Sequence, residues 1–244
     1  MSRIVFLLTA LLAALAASGC ATSPDADPRD PLEPMNRAVY KFNDTFDDWV
    51  AKPVATVYRD ALHVEIRSRV SNFFSNIQDI FIGVNNFLQG KLQEGVEDWA
   101  RFAFNSTFGL AGIHDVASDM GIEKHNEDFG QTFGYWGVGP GPYIILPFLG
   151  SSTARDTVGT AVDYYFAPLA DVRPIALRNT LYGVYLINTR AELLDASNIL
   201  EQAALDRYVF QRDAYLQRRR SLIYDGNPPR EREEVNDTQE PSVK

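Results

Sequence analysis

Gly137, Gly139 and Gly141 stand at alternate positions in GYWGVGPGPYIILPFLG, residues 134–150. In a nucleotide-binding protein such glycines let backbone amides cradle a phosphate, but that loop requires G-x-G-x-x-G between a strand and a helix. Counting from Gly137, the third glycine falls on Pro142, and Pro140 and Pro142 offer no N–H donor. Phosphate cradling is excluded. His125-Asn126-Glu127-Asp128 brings nitrogen and oxygen ligands together, yet no second histidine stands at i+4 and no cysteine is nearby, so a surface loop is the expectation. Ser151-Ser152-Thr153 follows Gly150 and precedes a helical pattern, which suits an N-cap better than a nucleophile, and no G-x-S-x-G occurs. Arg218-Arg219-Arg220 is expected to be a solvated or headgroup-facing helix end. Catalytic residues, cofactors and metal ligands are therefore not expected.

The remaining chemistry is covalent attachment. Met1-Ser2-Arg3 is a short basic start, Ile4–Ala17 is apolar apart from Thr9, and Ala17-Ser18-Gly19-Cys20 closes the segment. That length is short for a spanning helix and right for a signal peptide. Small residues before a cysteine fit lipoprotein processing, with residues 1–19 removed and Cys20 lipidated. Cys20 is the one cysteine of the chain, so it has no internal disulfide partner. Ala21 in place of aspartate favours the outer membrane of a Gram-negative cell. One acyl chain binds only reversibly and stable anchoring takes two signals, a condition that bacterial lipoproteins meet by carrying several chains.

Twenty-three basic residues stand against 32 acidic ones. This balance argues against nucleic acid and against simple electrostatic docking on anionic lipid. Residues 20–31 form a Pro/Asp-rich tether, and 225–244, with Val235 and Val243 as its only large apolar residues, read as a disordered tail. The acting unit is 32–224, one domain. No later run of 18 apolar residues occurs, and strand patterns of barrel length are missing.

The elements that must position these residues are helices. Met35, Val39, Phe42, Phe46 and Val50 recur every three or four residues, a longer apolar stripe runs from Val70 to Leu88, and Leu92, Val96, Trp99 and Ala103 continue it. Ser151–Phe166, Pro174–Thr189 and 191–220, with a break near 195–198, complete a mostly α chain. The helix at 71–89 carries Asn76, Asn85 and Asn86 opposite its apolar positions, with Asp79 as its only charge. A helix facing bulk water usually shows charges there, whereas amides tolerate a half-wet setting at lower cost. The face could lie at a lipid interface, line an amphipathic passage, or be a core helix contacted from two sides.

Asp30-Pro31-Leu32-Glu33-Pro34-Met35-Asn36-Arg37 followed by Tyr40-Lys41-Phe42-Asn43 resembles the opening of the VacJ/MlaA family of phospholipid-transport lipoproteins. Val84-Asn85-Asn86-Phe87-Leu88-Gln89-Gly90, Asp128-Phe129-Gly130-Gln131-Thr132-Phe133-Gly134, the glycine stretch and Thr189-Arg190-Ala191-Glu192-Leu193-Leu194-Asp195 fit the same family in order. The resemblance implies a ring of helices in the inner leaflet of the outer membrane, with an amphipathic central channel. It further implies that mislocalised outer-leaflet phospholipids pass through that channel to a soluble periplasmic carrier. An ATP-driven inner-membrane complex then receives them, and a trimeric porin sits beside the ring. Phe42, Asn43, Asn76, Asn85 and Asn86 become channel or interface candidates, and Gly137, Gly139 and Gly141 a channel hinge, with a static multi-turn loop as the alternative. Trp49, Trp99 and Trp136 suit the headgroup level. A lipoprotein that only scaffolds a partner is the competing function.

Overall fold

Pro34 in the first turn starts helix α1 (Glu33–Phe46), where its fixed φ suits the helix and its missing N–H costs nothing. The computed structural model describes residues 27–197 and 205–230; Cys20, the signal segment and most of the tether and tail lie outside the described residues. A π turn, Asp47–Ala51, joins α1 to α2 (Lys52–Ala61). Helices α3 (Val64–Leu88), α4 (Leu92–Thr107), α5 (Val116–Asp119) and α6 (Phe129–Tyr135) follow. A hairpin of β1 (Tyr143–Leu146) and β2 (Gly150–Thr153) leads into α7 (Ala154–Phe166), α8 (Ile175–Glu192) and α9 (Arg207–Ile223). The chain is mostly α, as expected. The apolar pattern ran the helix back to Ser151, whereas the N-cap reading of 151–153 placed them ahead of it. They are instead the second strand, antiparallel to β1 with Tyr143 opposite Thr153, and Thr153 caps α7 by accepting from the Asp156 amide at 3.1 Å.

Packing closes into a circuit. α1 meets β1, β2 meets α9, α9 meets α6, α6 meets α3, α3 meets α8, and α8 meets α2, which returns to α1 through the π turn. Amides pin the seams. Asn36 donates to the Tyr143 carbonyl at 2.9 Å and accepts from the Ile145 amide at 2.9 Å. Two turns on, Asn43 does the same to the Leu146 carbonyl (3.0 Å) and the Phe148 amide (2.8 Å). One helix face thereby supplies the hydrogen bonds that a third strand would give to β1, whose outer edge would otherwise be left unpaired. Arg190 clamps Asp47 through two bonds of 2.6 and 2.7 Å, and Thr132 donates to Asn85 at 2.7 Å.

Polarity is inverted throughout. Among the described residues eighteen buried side chains are polar or charged and nine are hydrophobic. Helix α4 shows the pattern most plainly: Gly95, Asp98, Arg101 and Asn105, at helical spacing, are its buried face. The stripe Leu92, Val96, Trp99 and Ala103, which in a water-soluble protein would be the core side, is exposed. In α1, the π turn and α2, Phe42, Phe46, Trp49, Val50, Val54 and Val57 likewise face outward. All three tryptophans are about half exposed or more (Trp49 81%, Trp136 55%, Trp99 49%). No described helix is long and apolar enough to cross a membrane.

Candidate functional site

A cavity of about 520 Å³ opens between α3, α6, α7, α8 and α9, a size usual for ligand sites. Its wall on α3 is Phe74, Ile77, Phe81 and Ile82, joined by Leu169, Tyr182 and Leu222. Across from these stand Asn126, Glu127, Asp128, Gln131, Asp163, Arg218 and Arg219. With Gln78 on α3, eight charged or amide groups beside apolar side chains make the cavity amphipathic. Four of the five helices around it belong to the closed circuit of packed elements.

Arg219 organises the polar side. Its guanidinium donates to both Asp128 oxygens at 2.6 and 2.9 Å and to both Asp156 oxygens at 3.0 and 3.1 Å. Tyr215 adds a bond to Asp156 at 2.8 Å, and Arg155 pairs with the same carboxylate. Burial pushes the Asp128 and Asp156 carboxyls up, but the bonds and charge of Arg219 outweigh it and hold both below the ordinary range. The two helices carrying these carboxylates cross at glycines: a Cβ on Gly159 would sit 2.3 Å from the Gly130 amide nitrogen, and one on Gly130 2.7 Å from Arg219 Nη2. Asp128 also caps α6, accepting from the Gln131 amide at 2.8 Å.

Asp163 has no such partner. It accepts one backbone bond, from Phe129 at 3.3 Å, and burial together with the neighbouring Asp128 charge raises its carboxyl to about 6. A carboxyl raised in the folded state lends stability below its unfolded value of 3.8 and loses it as pH rises through about 6. Asp163→Asn, which cannot ionise, should therefore match the wild-type melting temperature near pH 4 and exceed it by a margin that grows to about pH 6 and then stays constant. Paired thermal melts across that window check this; a pH-independent difference would refute it.

The sequence-derived candidates are distributed as follows. Asn76, Asn85 and Asn86 are 3% exposed or less and none lines the cavity. Asn76 donates to Ser106 at 3.0 Å, Asn86 to Asp98 at 2.7 Å, and Asn85 to its own helix at Phe81 while accepting from Thr132. Their face is contacted from two sides, by α4 and α6, while the cavity is lined on α3 by Phe74, Ile77, Gln78, Phe81 and Ile82. Phe42 and Asn43 hold the hairpin turn, Phe42 by an edge-on ring contact with Phe148 at 5.2 Å. Gly137 (φ +89°) and Gly141 (φ +66°) occupy the left-handed region, and Gly139 does not. The 125–128 loop, expected at the surface, turns inward because Lys91 pairs with Glu127 at 3.0 Å and His125 Nδ1 meets Asp98 at 3.1 Å. No cluster that could hold a metal exists among the described residues. Asp163 and Gln131 were not singled out from sequence, and the expectation of a solvated helix end at 218–220 is corrected for Arg219, which turns inward because Asp128 and Asp156 bind its guanidinium. The Asp128-x-x-Gln131 spacing is an N-terminal capping signal that pointed to part of this site.

Apolar side chains turned outward around a half-polar cavity define a membrane-associated protein that can hold an amphipathic ligand. The family model described as MlaA lipoprotein matches residues 28–222. Over 208 residues the chain is 39% identical to the intermembrane phospholipid transport system lipoprotein MlaA of Escherichia coli strain K12, covering 82% of this chain and 81% of that protein. It is 33% identical to the protein of the same description from Haemophilus influenzae over 242 residues, 95% of each. A solved structure described as "Structural basis for maintenance of bacterial outer membrane lipid asymmetry" superposes with a TM-score of 0.70 at 35% identity, covering 81% of this chain and 99% of that one. The chain belongs to the MlaA lipoprotein family.

Proposed function

We infer that this protein is an outer-membrane lipoprotein that removes mislocalised phospholipids from the outer leaflet and passes them, through the amphipathic cavity, to a soluble periplasmic carrier. Acyl chains on Cys20 anchor it, and its ring of helices lies in the inner leaflet. The carrier feeds an ATP-driven inner-membrane complex, and a trimeric porin holds the ring in place. No bond is made or broken by the protein itself.

The carrying observation is the inverted polarity around the cavity. Water would penalise an exposed apolar surface of this extent at roughly 25 cal/mol per Å², while lipid removes that penalty. Interior hydrogen bonds then hold the helices together, as they do inside membranes, where apolar burial gives little drive between helices. A ligand with a charged head and apolar tails meets both of its requirements at one place. The testing experiment incubates purified protein in a phospholipid bilayer with a soluble carrier and measures lipid appearing on the carrier. Transfer above the protein-free rate is the expected result, and its absence would leave only a scaffold.

Lipidation has its own test. Cys20→Ser should leave the precursor uncleaved or mis-sorted, read as a larger band absent from outer-membrane fractions. Intact mass of the wild-type protein showing an unmodified Cys20 would end the anchoring claim.

A further inference from the structure

The cavity's charged groups are not equally available to a ligand. Asp128 and Arg219 satisfy one another, and Glu127 is paired with Lys91. After that pairing one cation and one anion remain on the wall. Arg218 makes no hydrogen bond or ion pair among the described residues, and Asp163 accepts only the Phe129 amide. A third group is left over: Gln131 is 2% exposed, lines the same cavity and spends its amide nitrogen on Asn126 and Asp128, while its Oε1 has no partner. A buried acceptor without a donor costs free energy of its own, which a ligand donor would recover.

The geometry points to a headgroup subsite in which Arg218 takes the phosphate of a phospholipid while Asp163 and the Gln131 Oε1 take the ammonium of an ethanolamine headgroup. This rests on the lipid-conducting reading of the cavity and adds the headgroup class to it. A single free cation suits any phosphodiester, so Arg218 binds lipids of every headgroup alike. Discrimination lies with Asp163. Against a glycerol headgroup, whose lipid is anionic overall, the same carboxylate gains no countercharge, and the pairing becomes a charge-assisted contact only when an ammonium is present. Apolar tails then lie along Phe81 and Ile82, which neither headgroup affects.

The experiment equilibrates detergent-purified full-length protein with equimolar phosphatidylethanolamine and phosphatidylglycerol, repurifies it and quantifies the retained lipids by mass spectrometry. Wild type should retain ethanolamine lipid about fivefold over glycerol lipid, equivalent to about 1 kcal/mol at 1.4 kcal/mol per factor of ten. Asp163→Asn should bring the ratio to parity, and Asp163→Glu should keep it. Asn removes a charge that stands beside Asp128 and so leaves the fold intact, which circular dichroism verifies. Arg218→Ala should lower retention of both lipids with the ratio unchanged. A wild-type ratio at parity, or an unchanged ratio in folded Asp163→Asn, overturns the subsite while leaving lipid conduction standing. Wild-type protein that retains no lipid overturns both. Soluble glycerophosphoethanolamine in excess should not displace the lipid; displacement would assign the groups to a free headgroup and overturn the lipid claim.

Discussion

Arg219→Met should destabilise the protein by about 3–5 kcal/mol, the usual effect of removing one partner from a buried ion pair. Methionine fills a comparable volume, so the loss is electrostatic rather than a cavity. Asp128 would lose two hydrogen bonds and its countercharge, and the buried Asp156 would lose two hydrogen bonds and one of its two countercharges, Arg155 remaining. Set against a total of about 5–15 kcal/mol for a domain, this is about a fifth or more of the stability. Both carboxyls, now held low, should rise, so the variant should gain stability on acidification where the wild type loses it. Arg219→Lys should rescue only part, because a point charge cannot fork across two carboxylates. Denaturant melts of the three proteins in one detergent give the comparison. A loss below about 1 kcal/mol for the methionine variant, the worth of an exposed pair, would show that the network is solvated and does not organise the cavity.

Gly137→Ala combined with Gly141→Ala should change the cell's barrier without changing the amount of protein. Both residues hold positive φ, and an L side chain there costs roughly 1–2 kcal/mol each. At Gly141 the new Cβ also meets Ala154 at 2.9 Å. Each 1.4 kcal/mol is a factor of ten, so the pair shifts a two-state hairpin by about ten- to a thousandfold. If this loop is the hinge beside the cavity, cells carrying the double variant should become as detergent-sensitive as cells lacking the protein, while abundance and sorting stay normal. Gly139→Ala is the internal control. Its φ lies outside the left-handed region and nothing stands within 4 Å of a Cβ there, so it should behave as wild type. Normal detergent resistance in the double variant would sink the hinge and leave a static loop; equal defects from Gly139→Ala would show that flexibility at large, not the two backbone positions, is what matters.

Periodicity determined the helices, because apolar recurrence at three and four residues is a local property of the chain. The motifs determined the family for the same reason: their order and spacing are written in one dimension. Periodicity cannot say which side of an amphipathic helix is inside. Leu92, Val96, Trp99 and Ala103 mark a face of α4 equally well whether water or lipid surrounds it, and only packing against α3 and α5 revealed Asp98, Arg101 and Asn105 as the buried side. The same ambiguity covered Asn76, Asn85 and Asn86, whose partners Ser106, Thr132 and Asp98 lie 12 to 47 residues away. The hairpin escaped because its strands are four residues each and borrow their missing hydrogen bonds from Asn36 and Asn43 on a helix more than 100 residues earlier. Asp163 is unremarkable in sequence and Arg218 reads only as part of a basic helix end, since a charged residue on a helix is ordinarily a solvated one. Their availability is a remainder, left after Arg219 and Lys91 have taken the other carboxylates, and a remainder exists only once every partner has been brought into place.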